Sequence, residues 1–458
     1  MHYYKLGIPL VLFVVFGAAC QQEQTEQQNQ TIDISQVVPL PVDLKNTDSI
    51  DFAPLMEMLG GARIIGLGEA LHVYHEPLDF RNALMKHLVR EKRIDVVAME
   101  TGAIESKVVY DYVNGADMAL DTALFYGFVY GFHKLPQNRE ILQWMREYNL
   151  DTSNQHHVNF YGFDISGGQG GSNRKLNHSL LEVLDYLKQV DEEAWNNYNL
   201  LCQPIIHVLD SGPNQFVEMG GPYDGLSEDQ KNSFAKLIEH IINHFEIREI
   251  EFTWQTSRSE YSWAYMAALG LRHINNYIGV EDSVRNESSF LRPFIIRDRA
   301  MMDNIEWIDQ KEDRPRMFLF ANIAHLLKKD LGFGSRFREF PKENFRDLGQ
   351  YLDLRHGREY RLIGNLHQFT YNDLLMPDIP DFFNCDSLGV EKHLVNDSYN
   401  NYYRDLRHIK DSLKDILNKD WILGAKGQYR YTNPYTSMDI LLFTKEQNFV
   451  VEYKQDSP

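Results

Sequence analysis

The chain has 458 residues, a formal net charge of −19 and three cysteines. This length allows a large core, arranged as two or three domains or as one elaborated unit. The negative charge argues against nucleic acid as a partner, because phosphates would be repelled. The few cysteines exclude a disulfide-dense scaffold and a cysteine-rich metal site.

The N-terminus is typical of an exported protein. Lys5 precedes the apolar run LGIPLVLFVVFGAA, which is shorter than the ~20 residues that a membrane-spanning helix needs. We predict a signal peptide over 1–19 and a disordered tether over 20–45, because QQEQTEQQNQT cannot bury apolar surface. Cys20 after GAA resembles a lipoprotein lipobox, and Gln21 after it implies a lipid anchor in the outer membrane. Ordinary secretion with an unmodified Cys20 is the alternative.

Several apolar runs end in a polar residue that is followed by turn chemistry. ARIIGLGE ends at Glu69, RIDVVAME at Glu100 and HVNFYGFD at Asp164, while RMFLFANIAH ends through Asn322 and His325. Apolar runs without alternation predict strands buried on both faces, as in a parallel sheet. Helical patterns fall between the runs, and this alternation predicts βαβ units. Because ligands bind outside the carboxyl ends of such strands, we expect these polar residues to share one edge.

The predicted fold class is α/β, with a parallel-rich central sheet flanked by helices. Residues 46–174 and 281–458 supply the two parts of the α/β core. Residues 175–280 carry long amphipathic patterns with little strand character, which predicts a helical insertion or subdomain. The run MDILLFTKEQNFVVEY predicts a C-terminal strand pair.

The stretch GLGEALHVYHEP places Glu69 three residues before His72 at a strand-to-helix turn. A carboxylate beside an imidazole orients the ring and raises its basicity, so that neutral histidine can take a proton from water. The alternative is that Glu69 caps the amides of the next helix. The other polar strand ends favour the functional interpretation. Tyr74 and His75 are candidates for substrate binding.

Arg81, Glu100 and His325 extend the candidate site. Arg81 borders a buried helix face and needs a partner. It pairs with Glu69 or Glu100, or it stabilises an oxyanion or a substrate carboxylate, and these roles are not exclusive. Glu100 suits acid–base chemistry if it faces other acids, or it caps a helix. His325 is either a satisfied structural group or part of the active edge. Asp164 and Asn322 are candidates for substrate binding there.

Three other motifs fail on inspection. His240 and His244 lack the glutamate of H-E-x-x-H, and GGQGG at 167–171 lacks the Lys-Ser/Thr of a P-loop. No G-x-S-x-G nucleophile elbow occurs near the candidate site. We predict no metal and no cofactor.

GLGEALHVYHEP resembles the GLGEATHGTHE signature of the erythromycin esterase family. The resemblance continues, in order, through Arg81, VVAMETG, YGFDISG, RDRAMMDNIEWI at 297–308, FANIAH and MDILLFTKEQ. It implies an α/β core with helical additions, related to the ChaN-like proteins. It also implies hydrolysis of a macrolide lactone by a water-activating histidine without an obligatory metal.

Carried onto this chain, the resemblance makes His72 the base and His325 the second histidine of the family's H-N-x-H stretch. Glu69, Arg81 and Glu100 match essential or site-lining positions. The chain differs at Asn322 and Ile323, which replace His and Asn, and at Leu71 and Val73, which replace Thr and Gly. We therefore expect hydrolysis of an ester or lactone of a small molecule, with the substrate left open.

Two alternatives remain from sequence. The ChaN-like relatives imply a non-hydrolytic envelope lipoprotein that binds haem, iron or a small molecule, with exposed Tyr74 or His75 as an axial ligand. A catalytically inactive relative kept for glycan or envelope binding is the other. In each case the membrane is reached only through the N-terminal lipid.

Overall fold

The computed structural model describes residues 37–45, 49–70, 72, 74–166, 177–210, 226–278, 292–329, 346–371, 390–395, 398–423, 430–448 and 450. The predicted signal peptide, the lipidated Cys20 and GGQGG lie outside these residues, and the first two stay predictions. Within them, no helix is long and apolar enough to cross a bilayer.

An eight-stranded sheet organises the molecule, in the order β1-β7-β10-β6-β2-β5-β3-β4. From β10 to β4 in this order, each strand is parallel to the next. In contrast, β7 is antiparallel to both β1 and β10. A separate antiparallel pair joins β8 to β9. The described residues form ten strands: β1 Val38–Leu40, β2 Ile64–Glu69, β3 Val96–Gly102, β4 Asn159–Asp164, β5 Met317–Asn322, β6 Tyr360–Tyr371, β7 Asn401–Asp405, β8 Trp421–Leu423, β9 Arg430–Thr432 and β10 Ile440–Asn448.

Helices cover both faces of this sheet. They are α1 Ala53–Leu59, α2 His75–Arg90, α3 Ser106–Val113, α4 Leu120–Gly127, α5 Pro136–Leu150, α6 His178–Val190, α7 Glu192–Asp210, α8 Glu228–Ile247, α9 Glu249–Gln255, α10 Arg258–Ile278, α11 Arg292–Lys311, α12 Ile323–Leu326, α13 Leu348–His356, α14 Asp411–Leu417 and α15 Pro434–Ser437. The prediction of an α/β fold with a parallel-rich sheet flanked by helices is confirmed.

The strands divide the apolar core into two clusters. In β5, Met317 and Leu319 face one cluster with α6, α8 and α10, while Phe318 and Phe320 face the other with α1, α2 and α5. Because successive strand residues point to opposite faces, an apolar run without alternation is what a sheet buried on both sides requires. The continuous runs read from the sequence are therefore explained.

The described residues of 175–280 form helices α6 to α10, and no strand occurs in the described parts of that range. These helices share one apolar cluster with the sheet. The predicted tether is too long, because Val38–Leu40 pairs with β7 and so belongs to the sheet. Of the predicted C-terminal strand pair in 438–453, the first run forms β10, and residues 449 and 451–453 of the second lie outside the described residues.

Candidate functional site

The polar strand ends meet at one edge of the sheet. Glu69 ends β2, Asn322 ends β5, Glu100 lies near the end of β3 and Asp164 ends β4. These four strands are consecutive in the sheet, in the order β2-β5-β3-β4. All four side chains are buried, with between 0% and 4% of each residue exposed. The sheet thus gathers carboxylates that are far apart in sequence.

Two backbone features aim these groups at one another. Between Met99 and Gly102, β3 takes three steps while β4 takes two, from Gly162 to Asp164. Such an extra residue bends a strand and redirects its side chains, and here the redirected residues include Glu100. On β2, a Cβ at Gly68 would lie 2.8 Å from the Cα of Ile323. The missing side chain therefore lets the start of α12 approach β2.

His72 lies between two carboxylates. Its Nδ1 is 2.7 Å from Glu69 Oε1, and its Nε2 is 3.6 Å from Glu100 Oε2. The contact with Glu69 fixes the tautomer with a proton on Nδ1, which leaves the Nε2 lone pair for a proton from elsewhere. Burial lowers the pKa of His72, but Glu100 and Glu69 outweigh it, so the pKa is raised above 6.5. The His72 side chain is 21% exposed, more than either carboxylate.

The pKa values of the two carboxylic acids are shifted in opposite directions. Burial raises the pKa of Glu69, although His72 opposes this, and Glu69 Oε2 is buried without a hydrogen-bond partner among the described residues. Burial also acts to raise the pKa of Glu100, but His325, His72 and Arg297 hold it well below its ordinary value. Glu100 Oε2 accepts a hydrogen bond from the backbone N–H of Asn322 at 2.7 Å. Glu100 is therefore the firmly ionised acid of the site.

His325 is 5% exposed and both of its ring nitrogens are engaged. Nδ1 lies 2.8 Å from Asp298 Oδ1, while Nε2 lies 3.3 Å from Glu100 Oε1 and 2.9 Å from Arg297 Nη1. A charged ring donates from Nε2 to Glu100, whereas a neutral ring accepts there from the guanidinium. In either state, His325 contacts protein groups through both nitrogens.

Arg297 connects the acids of this edge. It donates to both oxygens of Asp164, at 2.9 and 2.7 Å, and to Glu100 Oε1 at 2.6 Å. It also donates to the hydroxyl of Tyr130, which in turn donates to Asp164 Oδ2 at 2.6 Å. Burial opposes its charge, but the surrounding anions raise the pKa of Arg297 well above its ordinary value. Both carboxylate oxygens of Asp164 therefore accept hydrogen bonds from protein groups, which are Arg297 and Tyr130.

Arg81 is a buried residue of α2 that lies next to the candidate site. It donates through Nε and Nη2 to Asn82 Oδ1, at 3.0 and 2.8 Å, and stacks 4.7 Å from the centre of the Phe320 ring. Among the described contacts, Arg81 forms no ion pair with Glu69 or Glu100. The prediction that Arg81 pairs with one of these carboxylates is therefore wrong. Burial lowers the pKa of Arg81 to about 10, although the charge of Glu69 partly offsets this.

A narrow cavity joins these groups. The volume that a water-sized sphere can occupy is about 10 Å³, which is the room that a single water needs. Glu69, His72, Arg81 and Glu100 supply its ionisable lining. Its other walls come from Leu78, Met99, Phe132, Leu135, Asn138 and Phe320. A water held here would lie beside both the imidazole and the carboxylates.

The remaining predicted residues lie around this centre. Tyr74 is fully buried and its ring centre is 5.8 Å from that of His367, so the expected exposed tyrosine is absent. His75 is half-buried, and its Nδ1 is 2.9 Å from Gln137 Nε2. Asn322 donates from Nδ2 to the carbonyl of Ala70 and accepts from the N–H of Ala324 as the cap of α12.

Sequence reasoning missed four residues at the site. Arg297 and Asp298 lie on α11, and their signal was the RDRAMMDNIEWI motif, which was noted but given no role. Tyr130 and Phe132 flank His72, with ring centres 6.5 and 4.8 Å from its own. Tyr130 has a φ of 60°, a left-handed conformation that costs a non-glycine residue about 1–2 kcal/mol. No local sequence pattern predicts that a tyrosine adopts this left-handed conformation.

Known proteins resemble this chain in both sequence and fold. The erythromycin esterase family model matches residues 89–446. Erythromycin esterase type II of Escherichia coli is 20% identical over 415 residues, which cover 83% of this chain and 89% of that protein. A crystal structure from Bacillus cereus has a TM-score of 0.72 at 18% identity, covering 92% of this chain and 97% of the other. A substituted erythromycin esterase EreC in its open conformation has a TM-score of 0.64 at 15% identity, covering 89% and 97%.

The structural likenesses establish the fold, and the family match spans most of the chain from the end of α2 to β10. Membership supports a hydrolase function, in agreement with the resemblance read from GLGEALHVYHEP. This chain belongs to the erythromycin esterase family.

Proposed function

We propose that this protein hydrolyses an ester or lactone bond of a small molecule, with His72 as the base that activates water. The observation that carries the proposal is the His72 ring, held at Nδ1 by Glu69 at 2.7 Å and partly exposed beside a water-sized cavity. A general base must lie within direct or one-water reach of the proton that it removes. His72 lines the cavity together with Glu69 and Glu100, which supports this role for its Nε2.

The reaction proceeds in two steps. His72 Nε2 takes a proton from water while the water oxygen bonds to the carbonyl carbon, which gives a tetrahedral oxyanion. The oxyanion collapses, the bond to the leaving oxygen breaks, and the protonated His72 returns its proton to that oxygen. The products are a carboxylic acid and an alcohol, or a hydroxy acid from a lactone. Glu69 and Glu100 stabilise the protonated ring between the steps.

We assign supporting roles in the reaction to the other residues of the site. Arg81 is a buried cation beside the cavity and can stabilise the oxyanion. His325 acts through Glu100, because both of its nitrogens are engaged by protein groups. Asn322 and Asp164 shape the edge through their hydrogen bonds, and Tyr130 and Phe132 form the aromatic wall beside His72.

The haem- or iron-binding alternative has less support. It requires an exposed axial ligand, but Tyr74 is fully buried and His75 contacts Gln137 through Nδ1. Within the part of the chain that the structure describes, no group of three His, Cys, Asp or Glu residues is arranged to hold a metal ion. Family membership also favours hydrolysis.

A panel of p-nitrophenyl esters, aliphatic lactones and macrolides tests the proposal. We expect turnover of at least one compound and a loss of about 10²–10⁴-fold in kcat/KM for His72→Ala, the range for removing a general base. The matched control is His408→Ala, since the His408 side chain is 80% exposed and lies at the opposite edge of the sheet. Failure to hydrolyse any compound, or full activity in a folded His72→Ala protein, would contradict the proposal.

A further inference from the structure

The RDRAMMDNIEWI motif lies in α11, which packs against β4, three strands away from β2 in the sheet. Arg297 donates to Glu100 and Asp164, as described above. Asn304 donates from Nδ2 to the carbonyls of Phe163 and Asp164, at 2.9 and 3.1 Å, and so fixes the end of β4. The proposed hydrolysis leaves one residue of this motif, Asp298, without a role.

Asp298 is held rigidly against His325. It is 1% exposed, and its Oδ1 accepts from the backbone N–H of Leu348 at 3.0 Å while lying 2.8 Å from His325 Nδ1. A carboxylate at Nδ1 sets the tautomer of an imidazole and stabilises its protonated form. The other nitrogen of the same ring lies 3.3 Å from Glu100 Oε1. Asp298 is therefore coupled to Glu100 through one ring.

Acids and imidazoles alternate through the whole site. The order is Asp298, His325, Glu100, His72 and Glu69, with successive contacts of 2.8, 3.3, 3.6 and 2.7 Å. Both histidines contact the Glu100 carboxylate, one at each oxygen. When His325 is protonated, its positive charge lies near His72 on the same carboxylate. Because two like charges repel each other, protonated His325 makes protonation of His72 less favourable.

We propose that Asp298 is a positioning residue that acts through His325: it keeps His325 protonated against Glu100 and thereby limits the proton affinity of His72. The proposal depends on the proposed hydrolysis for its effect on rate, but its electrostatic effect on His72 does not. It assigns the second residue of the motif a task distinct from that of Arg297.

The groups that face the two rings agree with this coupling. Asp298 and Arg297 from α11 and Glu100 from β3 face His325, while Glu69 from β2, Glu100 and Tyr130 face His72. Burial and the charge of Arg297 lower the pKa of His325, but Asp298 and Glu100 outweigh them and raise it to about 9. The positive charge on His325 lowers the pKa of His72 against the effect of the carboxylates.

The direct test is the titration of His72 by NMR in Asp298→Asn, with the resonance assigned through its loss in His72→Ala. Without its anionic partner, His325 becomes neutral near pH 7, and the repulsion on His72 disappears. We expect the pKa of His72 to rise by about half a unit or more. Asp303→Asn is the matched control, because Asp303 lies on the same helix and pairs with His273 and Arg299 instead.

Activity supplies a second readout. Below the pKa of His72, Asp298→Asn should lower kcat by about threefold or more, because a rise of half a unit in that pKa leaves about a third as much of the ring neutral. KM should change little, because Asp298 is 1% exposed and contacts no substrate. The acidic limb of the kcat/KM profile should move to higher pH with the His72 titration. A purely structural loss would reduce the active fraction without moving this limb.

A double variant shows whether Asp298 acts through His325. If it does, Asp298→Asn combined with His325→Gln costs no more activity than His325→Gln alone. If Asp298→Asn does not fold, His325→Gln removes the same charge, and the same rise in the pKa of His72 is expected from it. An unchanged His72 titration in folded variants, or additive losses in the double variant, overturns the proposal. A shifted titration without turnover of any ester contradicts only the hydrolysis.

Discussion

The chemistry of His72 depends on two carboxylates that contact opposite nitrogens of its ring. Glu69 is three residues away in sequence and accounts for the local half of the arrangement. Glu100 arrives from β3, and its distance of 3.6 Å leaves space at Nε2. Because both anions outweigh burial, His72 has a raised pKa and is a stronger base than a free histidine.

The pH dependence of hydrolysis follows from this raised pKa. The base must be neutral, so kcat/KM should increase with pH through an acidic limb centred above 6.5. Glu69→Gln removes one of the anions that favour the protonated ring, and we expect its limb to move to lower pH with a lower plateau. Rate profiles between pH 5 and pH 9 measure both changes.

The control for this variant is Glu57→Gln, because Glu57 is exposed at the opposite edge of the sheet. Its profile should match that of the unchanged protein. An acidic limb below 6.5, or a Glu69→Gln limb that does not move, would contradict the assigned roles of His72 and Glu69.

The individual site residues that could be predicted are those marked by a pattern in the sequence immediately around them. Glu69 and His72 are neighbours on one turn, and Glu100 and Asp164 each end an apolar run. Arg297 contacts Asp164 across 133 residues of sequence, and no pattern in either segment encodes that pairing. The Arg81 partner has a different explanation: the sequence shows that a buried cation needs an acceptor, but not that the adjacent Asn82 supplies it.

At the scale of elements, the site depends on how closely β2 approaches α12. Gly68 has no side chain where a Cβ would lie 2.8 Å from the Cα of Ile323. That approach carries Asn322 and His325 toward Glu69. The sequence places Gly66 and Gly68 in the motif but does not reveal this contact, because β5 enters the sheet beside β2 from about 250 residues later.

Gly68→Ala should therefore destabilise the protein and weaken catalysis together. The new methyl group meets backbone, which cannot rotate away, and we expect a loss of about 1–3 kcal/mol in the free energy of unfolding. Urea unfolding and the hydrolytic rate measure the two effects. Gly61→Ala is the matched control, since its Cβ would have no atom within 4 Å. Equal stability of the two variants would contradict the close approach.

For the whole molecule, the buried charges tie distant parts of the chain into one unit. The site joins β2, β3, β4 and β5 to α11 and α12, and its contacts span residues 69 to 325. The strand runs and helical patterns are visible in the sequence because burial dictates them. The strand order is not visible, because it depends on contacts between runs whose apolar faces are chemically alike.

This linkage makes stability depend on pH in a defined direction. The pKa of His325 is about 9 in the folded protein and 6.5 in its ordinary state. A raised pKa contributes stability that is fully present below pH 6.5 and is lost as the pH rises through 9. The shift corresponds to a contribution on the order of 3 kcal/mol. The free energy of unfolding should therefore fall between pH 7 and pH 10, as measured by urea unfolding at fixed ionic strength.

His325→Gln should flatten this alkaline decline, because the group that releases its proton is gone. The variant should also be less stable than the unchanged protein at pH 6, where His325 is charged and paired with Asp298 and Glu100. Near pH 10 the two proteins should approach one another, since neutral His325 no longer contributes its ion pairs. His408→Ala serves as the control, because that side chain is 80% exposed and its ion-pair partner is Asp405, not Asp298 or Glu100. A decline of equal slope in His325→Gln would show that other groups, and not this buried ring, govern alkaline unfolding.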